Sequence, residues 1–274
     1  QALYGEGSKE EQDLAYMNAM ASLQEAHPED LEARAFHALA ILGSTDGERD
    51  FEVYARAASV AQPVFDANPD HPGAAHYIIH SFDDPEHADL GLEAANAYSE
   101  IAPGAAHAQH MTTHIFLAQG DWARVIQNNQ RAMDVQNADM VERGRDPVAC
   151  GHYSSWLHYG HLQLGQWDEA TALMDACHAH ASKPDAPRGR WGYFTSMRAQ
   201  HILTSQDWSL VDTWTLDPAN APEGWSMWAY EATNALVDLA QGDVASAEAR
   251  LTALDWVNPM NSSEEHTSEL QSRP

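Results

Sequence analysis

The sequence predicts an all-α protein, an α-solenoid of antiparallel helix hairpins, and three observations carry that prediction. Apolar residues recur at three- and four-residue spacing in runs of about twelve to twenty, while the alternation of a half-buried strand is nearly absent. Glycine and proline fall between those runs and almost never inside them. One turn also comes back along the chain, a glycine with a large or branched apolar residue two positions later: Gly120 with Trp122, Gly165 with Trp167, Gly242 with Val244. Short turns between long amphipathic helices make sequence neighbours antiparallel partners.

Taken in order, the first helix is expected over 10–26, with Leu14, Met17 and Leu23 on its apolar stripe and a stop before Pro28. The second covers 30–42 and ends at Gly43, a C-cap residue. After an acidic turn the third runs over 51–67, with Pro63 expected to kink or split it. A helix over 72–82 follows, then a break at 83–86. Asp84 before Pro85 reads as the N-cap of one long helix over 85–101. The next helix, 105–118, turns at Gln119-Gly120 and returns as 122–141. Asp146-Pro147 opens a further hairpin that turns at Leu164-Gly165 and returns as 167–181. Helices over 188–203 and 225–240 precede a last one over 244–257, and Gln206-Asp207-Trp208 marks a degenerate turn between them. All of this reads as one domain over 1–261. Residues 262–274 lose the helical periodicity and look like a translated sequencing adapter, so His266 is given no role.

Composition narrows the function classes. With 44% hydrophobic residues in 274 the chain can bury a sizeable core, and no run of eighteen apolar residues offers a membrane span. Its 41 acidic against 14 basic residues give a net charge of −27, and Lys9 and Lys183 are the only lysines. Such an acidic surface repels phosphate backbones and anionic lipid, which argues against nucleic acid and membrane insertion, and it concentrates cations.

The 16 histidines are the chemical signal. His76 and His80 are four apart, about 40° from each other on a helix. His107, His110 and His114 fall within a stripe roughly 60° wide on the next inward helix. Each group follows a Pro-Gly turn, His71-Pro72-Gly73 or Ala102-Pro103-Gly104, and so holds an equivalent place in successive units. At this histidine density about one i, i+4 pair is expected by accident, so it is the equivalent placement that points to a bound ion. Two facing pairs close a tetrahedral or square metal site without help from loops. The expected ligands are His76, His80, His110 and His114, with His107 and His152 in reserve. Imidazole-only ligation suits zinc or copper first, iron or nickel next, and the absence of a cysteine cluster argues against a structural zinc finger.

Around the turns, Gly120, Trp122, Val125 and Ala132 stand at the same offsets as Gly165, Trp167, Ala170 and Cys177, and as Gly242, Val244, Ala247 and Leu254. This pattern resembles the second-helix half of the tetratricopeptide repeat. More narrowly, HYIIH (76–80), DDPEHA (83–88) and HAQHMTTHIF (107–116) are similar to a group of bacterial tetratricopeptide-containing proteins, often exported. The resemblance implies a right-handed superhelix in which the first helix of each hairpin lines a concave groove. On it, His37, His76, His80, His107, His110, His114, His152, His158, His161 and His201 would line that groove. It also favours a periplasmic or extracellular location over the cytoplasm, and it implies no reaction.

The reading that follows is a transition-metal-binding α-solenoid acting as a metalloenzyme on a small molecule in the groove. Either it is a hydrolase, with Asp83, Asp84 or Glu86 as general base, or a copper redox enzyme with Tyr77 or a tryptophan nearby. The alternative is a non-catalytic scaffold whose groove holds a peptide, a basic one by charge. Ser154 and Ser155 lack the turn and the acid of a serine nucleophile. Of the two cysteines, Cys177 occupies a small packing position and reads first as a buried free thiol. In a hairpin centred at Gly165-Gln166, Cys150 also lies within one helical turn of it, so a bridge is geometrically open.

Overall fold

The computed structural model describes residues 4–45, 49–183, 187, 189–216 and 224–254, and every regular element among them is helical. The expected tail at 262–274 and the end of the last expected helix lie outside the described residues. The described residues fall into two compact units that divide between Pro147 and Val148.

The first unit contains α1 (Lys9–Ala26), α2 (Leu31–Leu42), α3 (Phe51–Ala67), α4 (Pro72–Ser81), α5 (Leu92–Ile101), α6 (Ala106–Ala118) and α7 (Trp122–Glu142). Consecutive helices pack on one another, and α2 also touches α4 and α4 touches α6, the pattern of stacked hairpins. The helices start where the sequence supplies an acceptor for their free N–H groups. Ser8 and Glu11 form a capping box at α1, Asp30 and Asp50 cap α2 and α3, and Asp121 caps α7. His71 caps α4, its Nδ1 accepting from Ala74 N at 3.1 Å. The core is unusually small-residued: Ala61, Ala74, Ala75, Ala95 and Ala108 are all at most 1% exposed, beside Ile78, Ile79, Met111 and Ile115. Alanine at the contacts lets helix axes come close.

Three expectations change here. Pro63 does not split α3, which is continuous through it; Pro63 and Ser59 lie on the exposed face, where a carbonyl robbed of its partner is open to solvent. The long helix over 85–101 is absent. Asp84 Oδ1 instead accepts from the N–H groups of Glu86 and His87, each at 3.0 Å, folding the chain into a turn. A single 3-10 turn at Ala88–Gly91 then leads into α5. Gly91 permits this because a Cβ there would lie 2.8 Å from Ile115 Cδ1 on α6. Of the expected stripe on α1, Leu14 and Leu23 stay exposed and only Met17 packs against Ile41, Leu42 and Ala57.

The second unit contains α8 (His152–Gln163), α9 (Trp167–Ala181), α10 (Gly189–Ser205), α11 (Trp225–Ala240) and α12 (Val244–Ala253). Its core joins Met174, Trp191, Phe194, Met197, Ile202, Trp214 and Val237. Helix α8 starts later than Asp146-Pro147 because Cys150 and Gly151 are held in a non-helical segment. Cys150 is bridged to Cys177, correcting the free-thiol reading, and its carbonyl accepts from Arg190 Nη1 at 2.6 Å. Ser154 Oγ takes the Gly151 N–H at 2.9 Å, so this serine is a cap.

The recurring turn is one device used repeatedly. Gly120, Gly165 and Gly242 have φ of 71°, 66° and 85°, and the residue after each donates back to the carbonyl five residues earlier, at 2.8 to 2.9 Å. This is the Schellman closure, which needs a left-handed residue. The degenerate turn is also found: Gln206 takes φ 56° without being glycine, and a 3-10 turn at Trp208–Asp212 replaces the returning helix. Buried Arg198 holds that segment, donating to Trp214 O at 2.8 Å and Val211 O at 2.9 Å. No helix among the described residues is long and apolar enough to cross a membrane.

Candidate metal centre

Helices α4 and α6 lie side by side in the first unit and carry five histidines, His76 and His80 on α4 and His107, His110 and His114 on α6. Near its C-terminus α4 is fixed by Arg49, whose Nη2 donates to Ser81 O at 2.8 Å while the guanidinium sits 4.0 Å over the Tyr54 ring. A cation at the last carbonyls suits the negative end of a helix. That anchor sets the position of His80 and of Asp83 just beyond it.

The ligand nitrogens of His76, His80 and His107 all lie within 4.8 Å of one another. His76 Nε2 faces His107 Nε2 at 3.2 Å, and the His76 and His80 rings are 4.7 Å apart. An ion bound at about 2.0–2.1 Å in tetrahedral geometry separates its nitrogens by about 3.3 Å, so the observed spacing fits one. Tyr77 and Tyr98 stack on His76 at 5.8 and 5.4 Å. Burial pushes the Tyr98 hydroxyl up to about 12, so it remains a phenol.

Burial, then the neighbouring charges of His80, His107 and His114, keeps His76 well below the usual histidine range. Burial and His114 push His80 down to about 4, against a smaller opposing pull from Asp83. Neutral imidazole is the form that binds metal, so crowding the rings keeps the lone pairs available.

One helical turn on, His110 and His114 form a second group, 1% and 9% exposed. Their Nε2 atoms face each other at 3.1 Å. His114 Nδ1 donates to Asp83 Oδ2 at 2.7 Å, and His110 Nδ1 donates to Asn129 Oδ1 at 2.7 Å. The Asn129 amide is oriented by its own Nδ2, which donates to Val125 O at 2.9 Å. Burial would raise the Asp83 carboxyl, but the His114 hydrogen bond and the charges of His114, His80 and Arg49 outweigh it and hold it below the ordinary carboxylate range.

His107, expected in reserve, joins His76 and His80, whereas His110 and His114 pair with each other. His152 belongs to the second unit, where its ring lies against Tyr153, Trp156 and Tyr193. Of the three expected bases, Asp83 is committed to His114. Asp84 is a turn cap that also bonds His87 Nδ1 at 2.7 Å, and Glu86 stands exposed on that turn. The bracing residue Asn129 went unnoticed in the sequence. It lies as far beyond the Gln119-Gly120 turn as His110 lies before it, so the antiparallel arithmetic applied to the cysteines finds it too.

A groove lined throughout by histidine is not what the fold makes. His158 and His201 are 0% and 2% exposed, packed inside the second unit. His161 bonds Gln166 at 2.7 Å and His37 bonds Gln24 at 2.6 Å. The second unit also holds a cavity of about 690 Å³ bounded by Trp208, Tyr230, Glu231, Asp238 and Arg250, and no histidine is among the described residues that line it.

No family model and no curated protein matches the chain. Among solved structures it is similar to a tetratricopeptide repeat protein from Parabacteroides merdae, with a TM-score of 0.54 at 10% identity, over 94% of this chain and 91% of that one. The likeness shows the fold: the chain is a tetratricopeptide-type α-solenoid of antiparallel helix hairpins.

Proposed function

We propose that the chain is a transition-metal-binding protein whose first ion is held by His76, His80 and His107, and that it is a metal-dependent hydrolase of small polar substrates. The observation that carries this reading is the convergence of three imidazoles from two helices, with all ligand nitrogens within 4.8 Å. Three protein ligands leave a fourth position for water, the pattern of catalytic rather than structural zinc, and a bound ion lowers the pKa of that water toward neutrality. The net charge of −27 favours cation capture, and the Cys150–Cys177 bridge supports an exported chain. A copper redox centre is the second reading, supported by the stacking of Tyr77 and Tyr98 on His76.

Metal analysis of the chain purified without a histidine tag tests the proposal. Stoichiometric zinc or copper that falls by one equivalent in His107→Ala is expected, and its identity separates hydrolytic from redox chemistry. A chain that stays metal-free after loading turns the reading to a peptide-binding scaffold for basic partners.

A further inference from the structure

We infer that the His110–His114 pair is a second divalent transition-metal site beside the first, so that the charged centre of this protein is built for two ions. The inference rests on the three-imidazole reading only for the identity of the neighbour; its geometry stands alone. In a neutral imidazole one nitrogen carries the proton and the other a lone pair. Asp83 presents an ionised carboxylate to His114 Nδ1, and Asn129 presents an oxygen to His110 Nδ1, each at 2.7 Å, so both protons sit on Nδ1. The two Nε2 lone pairs therefore point at each other across 3.1 Å. Lone pairs opposed at that distance repel, and a cation between or beside them turns the repulsion into ligation.

The surroundings are those of metal ligands. A histidine that binds metal hands its other N–H to a carboxylate or amide oxygen, which fixes the tautomer and raises its basicity. Both histidines here do so. The pair is buried, the acceptor of one is itself fixed by Val125 O, and His114 lies close enough to shift the charge balance of His76 and His80. Two bound ions would supply Lewis acidity to the oxygens of a substrate undergoing hydrolysis. Asp83 and Asn129 are positioning residues, acting through the histidines they hold.

Cobalt(II) titration of the unmutated, metal-stripped chain reads the number of ions directly from visible absorption, with metal content after desalting as a second measure. Two equivalents are expected. His110→Gln should retain one, His107→Ala should retain one, and the double variant none. Asp83→Asn, which keeps the shape but weakens the acceptor, should lower the affinity of the second equivalent alone, about 10- to 100-fold. A titration that ends at one equivalent, unchanged in His110→Gln, overturns the second site and leaves the first standing, with a proton as the cation between the rings. A titration that ends at one equivalent and falls to none in both His107→Ala and His110→Gln also overturns it, since a single shared ion is then the answer. No binding at all overturns both readings.

Discussion

Two pairs of imidazoles in this molecule touch at the same distance and are built for different ends. In the first unit His110 and His114 approach at 3.1 Å through like atoms, Nε2 to Nε2, with each Nδ1 donated to an oxygen. In the second unit His158 and His201 approach at 3.1 Å through unlike atoms, Nε2 to Nδ1. His158 Nδ1 is buried without a hydrogen-bond partner, so its proton belongs on Nε2 and is donated to His201. That is an ordinary neutral hydrogen bond, closed off by the rings of Trp167 and Trp214 at 6.3 and 4.9 Å from His201. Histidine density alone does not separate the two pairs. The groups behind the rings do, because they decide which nitrogen keeps its lone pair.

The largest expected effect falls on the first unit. His76→Ala should abolish binding of the first ion, and with it the stabilisation that saturating metal confers, about 4 kcal/mol at a thousandfold excess over Kd. Thermal melts with and without zinc check this, and a metal-dependent shift as large in the variant as in the unmutated chain breaks the comparison. His158→Ala should instead leave metal content untouched while lowering the stability of the metal-free chain by about 3 kcal/mol, through a cavity and a stranded His201. Urea denaturation of the stripped protein measures it. Loss of metal in this variant would mean that the second pair is no mere packing device.

Acid should sharpen the same contrast. Burial, with the charges of His201 and His161, pushes His158 down to about 3. The unfolded chain titrates that ring near 6.5 and so binds more protons than the native state between those values. Stability from His158 is therefore fully present above pH 6.5 and is lost progressively as pH falls toward 3, by about 1.4 kcal/mol per pH unit. His80, pushed down to about 4, adds a similar slope of the same sign in the metal-free protein, over 6.5 to 4. Denaturation series at several pH values should show a shallower slope in His158→Gln, whereas added metal should suppress only the contribution of His80.

The smallest effect concerns the turn that follows His201. Gln206 holds a left-handed φ of 56° where the other recurring turns use glycine. Gln206→Gly should stabilise the chain by about 0.5–1 kcal/mol, leaving both the pH slope and metal content unchanged. A shift in the pH profile would show that the imidazole pair is coupled to this turn.

Much of the fold was legible in the chain because helical periodicity and turn chemistry are local. Gly120, Gly165 and Gly242 announce the left-handed closures that their positive φ then displays, and Ser8, Asp30, Asp50 and Asp121 announce helix starts. The expected helix over 85–101 is interrupted in part for a non-local reason: beyond the local Asp84 turn, the backbone at Gly91 lies so close to Ile115 of α6 that a Cβ would meet it at 2.8 Å. Spacing also determined that His76 and His80 share one face and that His107, His110 and His114 share another. The grouping across helices was left to tertiary structure: the relative rotation of α4 and α6 brings His107 to His76 and leaves His110 with His114. So was the state of each ring, because a proton settles on whichever nitrogen meets an oxygen, and Asp83 and Asn129 reach their histidines only once separate helices have packed.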